Sequence, residues 1–296
     1  MPFLDEIIEC TEAEIAAAKK ERNIGDLKRM IRDAPEVNSF WAALSGSFGL
    51  IAEVKKQSPS AGPMRAENVE RAPAVYAKSP IVKAVSVLTN KSHFGMSIDQ
   101  LSRIRPLVRK PILRKDFIIK EYQIYEARAF HADAILLMAN LLSKSQLHKF
   151  YDLAREYNLD VLFEVHTEEE IKKLPDGAKI CGVNSRKFMA TQRWKYARLL
   201  LALGIGKSSK APDPSVELQT FSLIKSLPKD TIRVAESGVK PSKIQEISKM
   251  GYDSVLVGTS ILKAPAGVES ILSEFEQAMA PSSQAGHSMV PATATT

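Results

Sequence analysis

Residues 48–60 read Phe-Gly-Leu-Ile-Ala-Glu-Val-Lys-Lys-Gln-Ser-Pro-Ser. Apart from Glu53, the first seven are apolar or glycine. A short apolar run that ends in charged and hydroxyl residues fits a parallel strand covered on both faces and opening into a loop at its C-terminal end. The pattern recurs at 83–88, 111–114, 133–138, 160–165, 179–183, 231–235 and 254–257. Amphipathic stretches at 68–78, 97–105, 121–130, 143–157, 167–174, 190–203, 215–226, 241–249 and 266–278 fill the gaps with helix. Eight strands alternating with helices predict an α/β chain folded as a (β/α)8 TIM barrel, with a doubly wound open sheet as the competing architecture. Ser97-Ile-Asp-Gln100, Ser143-Lys-Ser-Gln146 and Thr167-Glu-Glu-Glu170 have the spacing of capping boxes at helix starts.

Upstream of the first strand the pattern is helical. Leu4, Ile7, Ile8, Ile15 and Ala18 recur at helical spacing over 3–21, and a second helix is expected at 25–33. After Pro35, Asn38 or Ser39 caps a third helix carrying Phe40, Trp41 and Leu44. Residues 1–47 are therefore expected to form a helical extension, and 48–278 a catalytic barrel. Residues 279–296 lack any Asp, Glu, Lys or Arg and are expected to be a disordered tail.

The chain has 296 residues, 45% hydrophobic and 25% charged, an ordinary globular balance. Two cysteines, Cys10 and Cys181, exclude a disulfide scaffold or a four-thiolate zinc site. The five histidines show no ligand spacing, so no metal is expected. No apolar run approaches the roughly 18 residues of a membrane span, and the N-terminus does not read as a signal peptide, so a cytoplasmic protein without membrane contact is expected. Forty-one Lys and Arg against 34 Asp and Glu leave a charge of +7. Nucleic acid and a small anionic substrate are its two readings. Residues 186–212 hold seven Lys and Arg and no acid, which matches the whole excess. That concentration argues against a diffuse nucleic-acid surface. It suits either a segment that steers an anionic substrate toward the site or a solvated basic helix.

Two motifs mislead. Gly204-Ile-Gly206-Lys207-Ser208 resembles the end of a P-loop, but Leu201 stands where the first glycine belongs and the segment follows a helix. Asn90-Lys91-Ser92 fits a glycosylation acceptor and has no meaning in the cytoplasm.

In a (β/α)8 barrel the active site lies at the C-terminal strand ends. Here those ends carry Glu53 and Lys55, Arg114-Lys115-Asp116, Glu164-Val-His166, Asn184-Ser-Arg186, Glu236-Ser-Gly238 and Gly258-Thr-Ser260. Each alone would pass as a surface ion pair. Together they place lysines and glutamates where a packed barrel tolerates neither without a reason. The small residues after strands seven and eight suit a phosphate dianion, the recurring ligand of those loops.

These strand ends, in this order, resemble the indole-3-glycerol-phosphate synthase family of tryptophan biosynthesis. The runs that carry the likeness are Ile51–Ser60, Val85–Thr89, Pro111–Ile118 with Glu121–Arg128, Ala132–Leu137, Glu164–Thr167, Gly182–Arg186, Val234–Gly238 and Val255–Ser260. The resemblance implies a ring-closing decarboxylation and dehydration of 1-(2-carboxyphenylamino)-1-deoxyribulose 5-phosphate to indole-3-glycerol phosphate, CO2 and water, with no cofactor. By the same likeness, Lys115 is the general acid on the ribulose ketone, Glu164 the acid/base carboxylate, and Lys55 the second lysine. Glu53 and Glu236 orient the lysines and the anilino nitrogen, while Asn184 and Arg186 hold the ribulose chain. Ser58, Ser237, Gly238, Gly258 and Thr259 would take the phosphate. Phe94, Phe117, Leu136 and Leu256 would wall the anthranilate ring, although plain core packing also explains these four. Association with other enzymes of the pathway is a further expectation.

The chain departs from the family at Asn90, where an acid is usual, at Met96 in place of Gly, and at Lys187 in place of Asp. It is also longer than the family norm between Asn184 and Glu236. These departures admit a specialised paralogue acting on a modified anthranilate. A sugar isomerase or a non-catalytic phosphosugar-binding barrel would have no evident need for paired Lys55 and Lys115 with Glu164.

Overall fold

The computed structural model describes residues 2–186 and 218–280. The helix expected at 190–203, most of the basic segment and the tail beyond 280 lie outside the described residues. Eight parallel strands close into a barrel: β1 (Gly49–Val54), β2 (Val82–Leu88), β3 (Ile112–Lys115), β4 (Ala134–Met138), β5 (Asp160–Val165), β6 (Ile180–Asn184), β7 (Ile232–Glu236) and β8 (Ser254–Val257). Each strand pairs with its sequence neighbours, and β8 closes on β1 through Gly49 opposite Ser254. All eight expected strands are present. Several end one residue later than the apolar runs do, because Lys115, Asn184 and Glu236 remain in the ladder.

The helices are α1 (Pro2–Glu21), α2 (Ile24–Asp33), α3 (Phe40–Leu44), α4 (Ala66–Lys78), α5 (Lys91–Phe94), α6 (Asp99–Ile104), α7 (Tyr122–Ala129), α8 (Lys144–Glu156), α9 (Glu168–Ile171), α10 (Ile244–Lys249), α11 (Thr259–Leu262) and α12 (Val268–Met279). The full capping box forms at Ser143 and Gln146. At Thr167 only half of it forms: the hydroxyl accepts from the Glu170 N–H, while the Glu170 carboxylate reaches the His166 N–H instead. At Ser97 no box forms, because its hydroxyl turns to Asp99 and the helix starts later. The segment expected as helix over 215–226 is a 3-10 helix at Leu218–Ser226. Its buried Phe221 and Ile224, with Leu227 just beyond its end, recur every third residue, the period of a 3-10 turn rather than an α-turn.

The N-terminal helices wrap the barrel from one end to the other. α3, capped by Ser39, buries Phe40 and Leu44 among Ile51, Leu113, Leu162 and Ile180 from the inner faces of the strands. Asp133 and Asp160, which flank the starts of β4 and β5, hold this segment by accepting the backbone N–H groups of Asn38 (2.8 Å) and Trp41 (2.9 Å). At the opposite end, Glu14 on α1 accepts from Ser92 N (3.0 Å) and Ser92 Oγ (2.5 Å), in α5 after β2. No helix among the described residues is long and apolar enough to cross a membrane.

Candidate active site

Side chains alternate along β3, so its end divides its charges between two layers. Arg114 and Asp116 turn outward, where Arg114 pairs with Asp116 (3.0 Å) and with Glu126 of α7 (2.8 Å) and donates to the Gln123 carbonyl (2.7 Å). Thr89 closes this knot by donating to Asp116 at 2.6 Å. Lys115 turns inward. Its ammonium lies 2.9 Å from Glu164 of β5 and 3.3 Å from Glu236 of β7. Lys55, just beyond β1, is bound to Glu53 at 2.5 Å. Asn184 of β6 hydrogen-bonds Glu164 and accepts the Arg186 N–H at 2.9 Å. Arg186 reaches across the mouth to the Ser60 hydroxyl at 2.9 Å. The residues expected from six strand ends thus meet at one mouth.

These side chains are withdrawn from the surface: Glu53, Lys55, Glu164, Asn184 and Glu236 are all buried. Three carboxylates face two ammonium groups, so the charges cannot all balance as ions. Burial acts on every member, and neighbours decide who keeps a proton. For Lys115 burial favours the neutral amine, but Glu164, Glu236 and Glu53 outweigh it and hold the proton well above the ordinary lysine range. For Glu164 burial favours the acid, but Lys115, then His166, and hydrogen bonds from Lys115 and Asn184 keep it a carboxylate below the ordinary range. Glu236 is left over. Burial, and then the repulsion of Glu164 and Glu53, push it up to about 8 despite the attraction of Lys115.

Two glycines make room for these carboxylates. A Cβ at Gly182 would overlap Glu236 Oε1, and one at Gly258 would overlap Glu53 Oε1. The glycines in Cys181-Gly-Val183 and Val257-Gly-Thr259 therefore leave room for the carboxylates of the neighbouring strands.

The end assigned to phosphate has unusual backbone. Ser237 and Gly238 are both left-handed, with φ of 71° and 67°. Left-handed backbone is costly for serine. Ser185 holds this turn, its hydroxyl donating to the carbonyls of Glu236 (3.2 Å) and Ser237 (3.1 Å). Successive N–H groups in such turns form anion-binding concavities. Gly258 and Thr259 open α11 beside it. Ser58 is buried, its hydroxyl accepting from Ala61 N at 3.0 Å.

At the other side of Lys115 lies an apolar cavity of about 40 Å³. Phe94, Phe117 and Leu136, three of the four residues assigned to the ring wall, line it together with Leu88, Met138, Asp116, Lys115 and Glu164. Phe94 and Phe117 stack with centroids 6.1 Å apart. Leu256 packs in the same apolar cluster as Leu136 and Phe117 but does not line the cavity. Leu88 and Met138 were missed because an apolar residue inside a strand gives no sequence signal separating wall from core. The departures in the loop after β2 keep the local structure, although the buried Asn90 Nδ2 finds no hydrogen-bond partner among the described residues. Buried Asn90 caps α5 by accepting the His93 N–H at 2.9 Å, which an acid could equally do, and Met96 joins the core.

The family model described as indole-3-glycerol phosphate synthase matches residues 4–192. The chain is 36% identical over 267 residues to an indole-3-glycerol phosphate synthase of Alkaliphilus metalliredigens, covering 88% of this chain and 94% of that one. It is 34% identical over 280 residues to one of Lachnospira eligens, covering 93% and 97%. Among solved structures, 3-hexulose-6-phosphate synthase from Salmonella typhimurium superposes with a TM-score of 0.53 at 13% identity, covering 78% of this chain and 98% of that one. Thiamine phosphate pyrophosphorylase from Pyrococcus furiosus gives 0.51 at 16%, covering 78% and 95%. These two likenesses concern the fold alone.

Proposed function

The chain belongs to the indole-3-glycerol phosphate synthase family, and on that premise we propose how its barrel mouth carries out the family's reaction. The enzyme is a carboxy-lyase acting on a phosphorylated small molecule. It closes the pyrrole ring of 1-(2-carboxyphenylamino)-1-deoxyribulose 5-phosphate and releases CO2 and water. The aromatic carbon bearing the carboxylate attacks the ribulose ketone, whose oxygen gathers charge as the bond forms. Lys115 is the acid that protonates it. The observation that carries this assignment is the Lys115 ammonium held between Glu164 and Glu236 at the edge of the apolar cavity. A donor must hold its proton before the reaction, and the surrounding carboxylates favour that state.

After CO2 leaves, the hydroxyl departs as water and the carbon beside the nitrogen loses a proton. Glu164, 2.9 Å from Lys115 and kept anionic, is the acid/base group for these steps. Lys55, held by Glu53, faces the anionic ends of the substrate. Glu236, protonated until about pH 8, donates a hydrogen bond toward the substrate rather than repelling its charges. Asn184 and Arg186 hold the ribulose chain. Ser58, Ser237, Gly238, Gly258 and Thr259 take the phosphate, and Phe94, Phe117 and Leu136 wall the ring. Leu256 packs in the same apolar cluster as that wall.

We place the enzyme in the cytoplasm beside other enzymes of tryptophan biosynthesis, since phosphorylated intermediates do not cross membranes unaided. Residues 1–47 serve as the extension and 48–278 as the catalytic barrel. Turnover of the substrate, followed by the rise of indole fluorescence, tests the reading, and absence of product at any concentration would overturn it.

A further inference from the structure

The reaction has a proton balance that the groups at the mouth do not close by themselves. The substrate carboxylate leaves as neutral CO2, and the ketone oxygen leaves as water. Water carries two protons: the carbon beside the nitrogen sheds one, and solvent must supply the other. One proton therefore enters the site in each turnover. With substrate seated over the mouth, Lys115 and Glu164 are covered from that side.

A chain of titratable groups leads out sideways from Glu164. His166, just past the end of β5, places Nε2 at 3.5 Å from Glu164 Oε1. Its Nδ1 lies 3.2 Å from Glu170 Oε2 on α9, and the same oxygen accepts the His166 backbone N–H at 2.7 Å. Side-chain exposure rises along the series, from 0% at Glu164 through 8% at His166 to 13% at Glu170. Glu168 and Glu169 beyond it are exposed. The half-formed capping box at Thr167 has a purpose in this light: the Glu170 carboxylate is turned from the cap toward the histidine.

Resting on the assignment of Glu164 above, we propose that His166 and Glu170 form a relay that returns a proton from solvent to the Glu164–Lys115 pair after each turnover. The hand-over runs along the Glu170–His166 hydrogen bond and the 3.5 Å ion-pair contact between His166 Nε2 and Glu164 Oε1, which must shorten for the proton to pass. Glu170 takes a proton from water and passes it to His166 Nδ1, while Nε2 releases its proton to Glu164 Oε1. The protonated Glu164 carboxyl then turns to present Oε1 to the neutral Lys115 amine, which rests 2.9 Å from Oε2, and recharges it. His166 acts through Glu164 and is a positioning and relay residue, not one that touches substrate.

The titratable groups facing His166 are Glu164 on β5, Glu170 on α9 and Glu236 on β7. Burial favours the neutral ring, but the hydrogen bond to Glu170 and the charges of Glu164 and Glu170 outweigh it, with Glu236 adding to them once it ionises, and keep the imidazolium to higher pH than an ordinary histidine. A relay running through the imidazolium makes kcat fall as pH rises through the histidine's titration.

The test compares His166→Gln, Glu170→Gln and Glu164→Gln with wild type in kcat, KM and the pH profile of kcat. The relay predicts that His166→Gln and Glu170→Gln each lower kcat about tenfold or more with KM within about twofold. It also predicts a larger solvent deuterium isotope effect on kcat, loss of the alkaline limb in His166→Gln, and partial rescue of that variant by imidazole buffer. Wild-type kcat in both variants, or a uniform loss at every pH with no isotope effect and no rescue, would overturn it. Should His166→Gln fail to fold, Glu170→Gln carries the same test from the edge of the fold. If Glu164→Gln kept full activity, the assignment of Glu164 itself would fail. If Glu164→Gln were inactive while the other two were unchanged, only the relay would fail.

Discussion

Gly182→Ala tests whether the barrel interior was hollowed out for its carboxylates. The added methyl would overlap Glu236 Oε1 and stand 3.1 Å from Glu236 Cδ and 3.3 Å from Leu162 Cδ1. Carbon atoms in ordinary contact lie about 3.5–4.0 Å apart, and the overlap with Oε1 is deeper still, so the carboxyl group must retreat by roughly 1 Å or more. Leu162 is fully buried and cannot make way without disturbing the inner layer. Overpacking of this kind costs about 1–3 kcal/mol in stability. The displaced group is one of those that position Lys115, at 3.3 Å. A misplacement of that order at a catalytic group lowers kcat by about 100-fold. The assay is steady-state kcat and KM beside thermal unfolding. The expected result is a folded enzyme with a lowered Tm, a large loss in kcat and a small change in KM. Wild-type kcat in Gly182→Ala would show that Glu236 need not stand where it does, and the steric account of this glycine would be wrong.

Glu236→Gln should flatten the dependence of stability on pH. A carboxyl group raised from 4.5 to about 8 binds its proton more tightly in the folded state, so wild-type Tm falls as pH rises between those values, and the variant should lose much of that slope. Glu14→Ala should remove the acceptor that ties α1 to Lys91 and Ser92, in the helix that carries Phe94. The loss of a cap costs about 1 kcal/mol, and KM should rise several-fold if Phe94 walls the ring, whereas an unchanged KM would separate the extension from the ring pocket.

The eight strands were legible because a parallel strand covered on both faces is apolar throughout, and in this chain helical sequence separates each run from the next. The inward-facing Glu53, Lys115, Glu164 and Glu236 were legible for the opposite reason, as charges where burial should forbid them. The outward partners in Arg114-Lys115-Asp116 carry the same charges one residue away, and only alternation tells Lys115 from the structural pair around it. His166 is another kind of case. Its place in Glu164-Val165-His166 was visible, but its function depends on Glu170 leaving the cap of α9, a choice between two backbone N–H groups that spacing does not decide. The helix expected at 215–226 differs in pitch over Leu218–Ser226, because a three-residue apolar period lies close to the helical one.

The central claim is that Lys115 supplies the proton that makes ring closure possible. The most direct measurement is kcat of Lys115→Ala with the carboxyphenylamino-deoxyribulose phosphate substrate, followed by indole fluorescence, with folding checked by thermal unfolding. A folded variant whose kcat falls by about 100-fold or more, with a much smaller change in KM, is the predicted outcome. A folded variant with near-wild-type kcat would contradict the account.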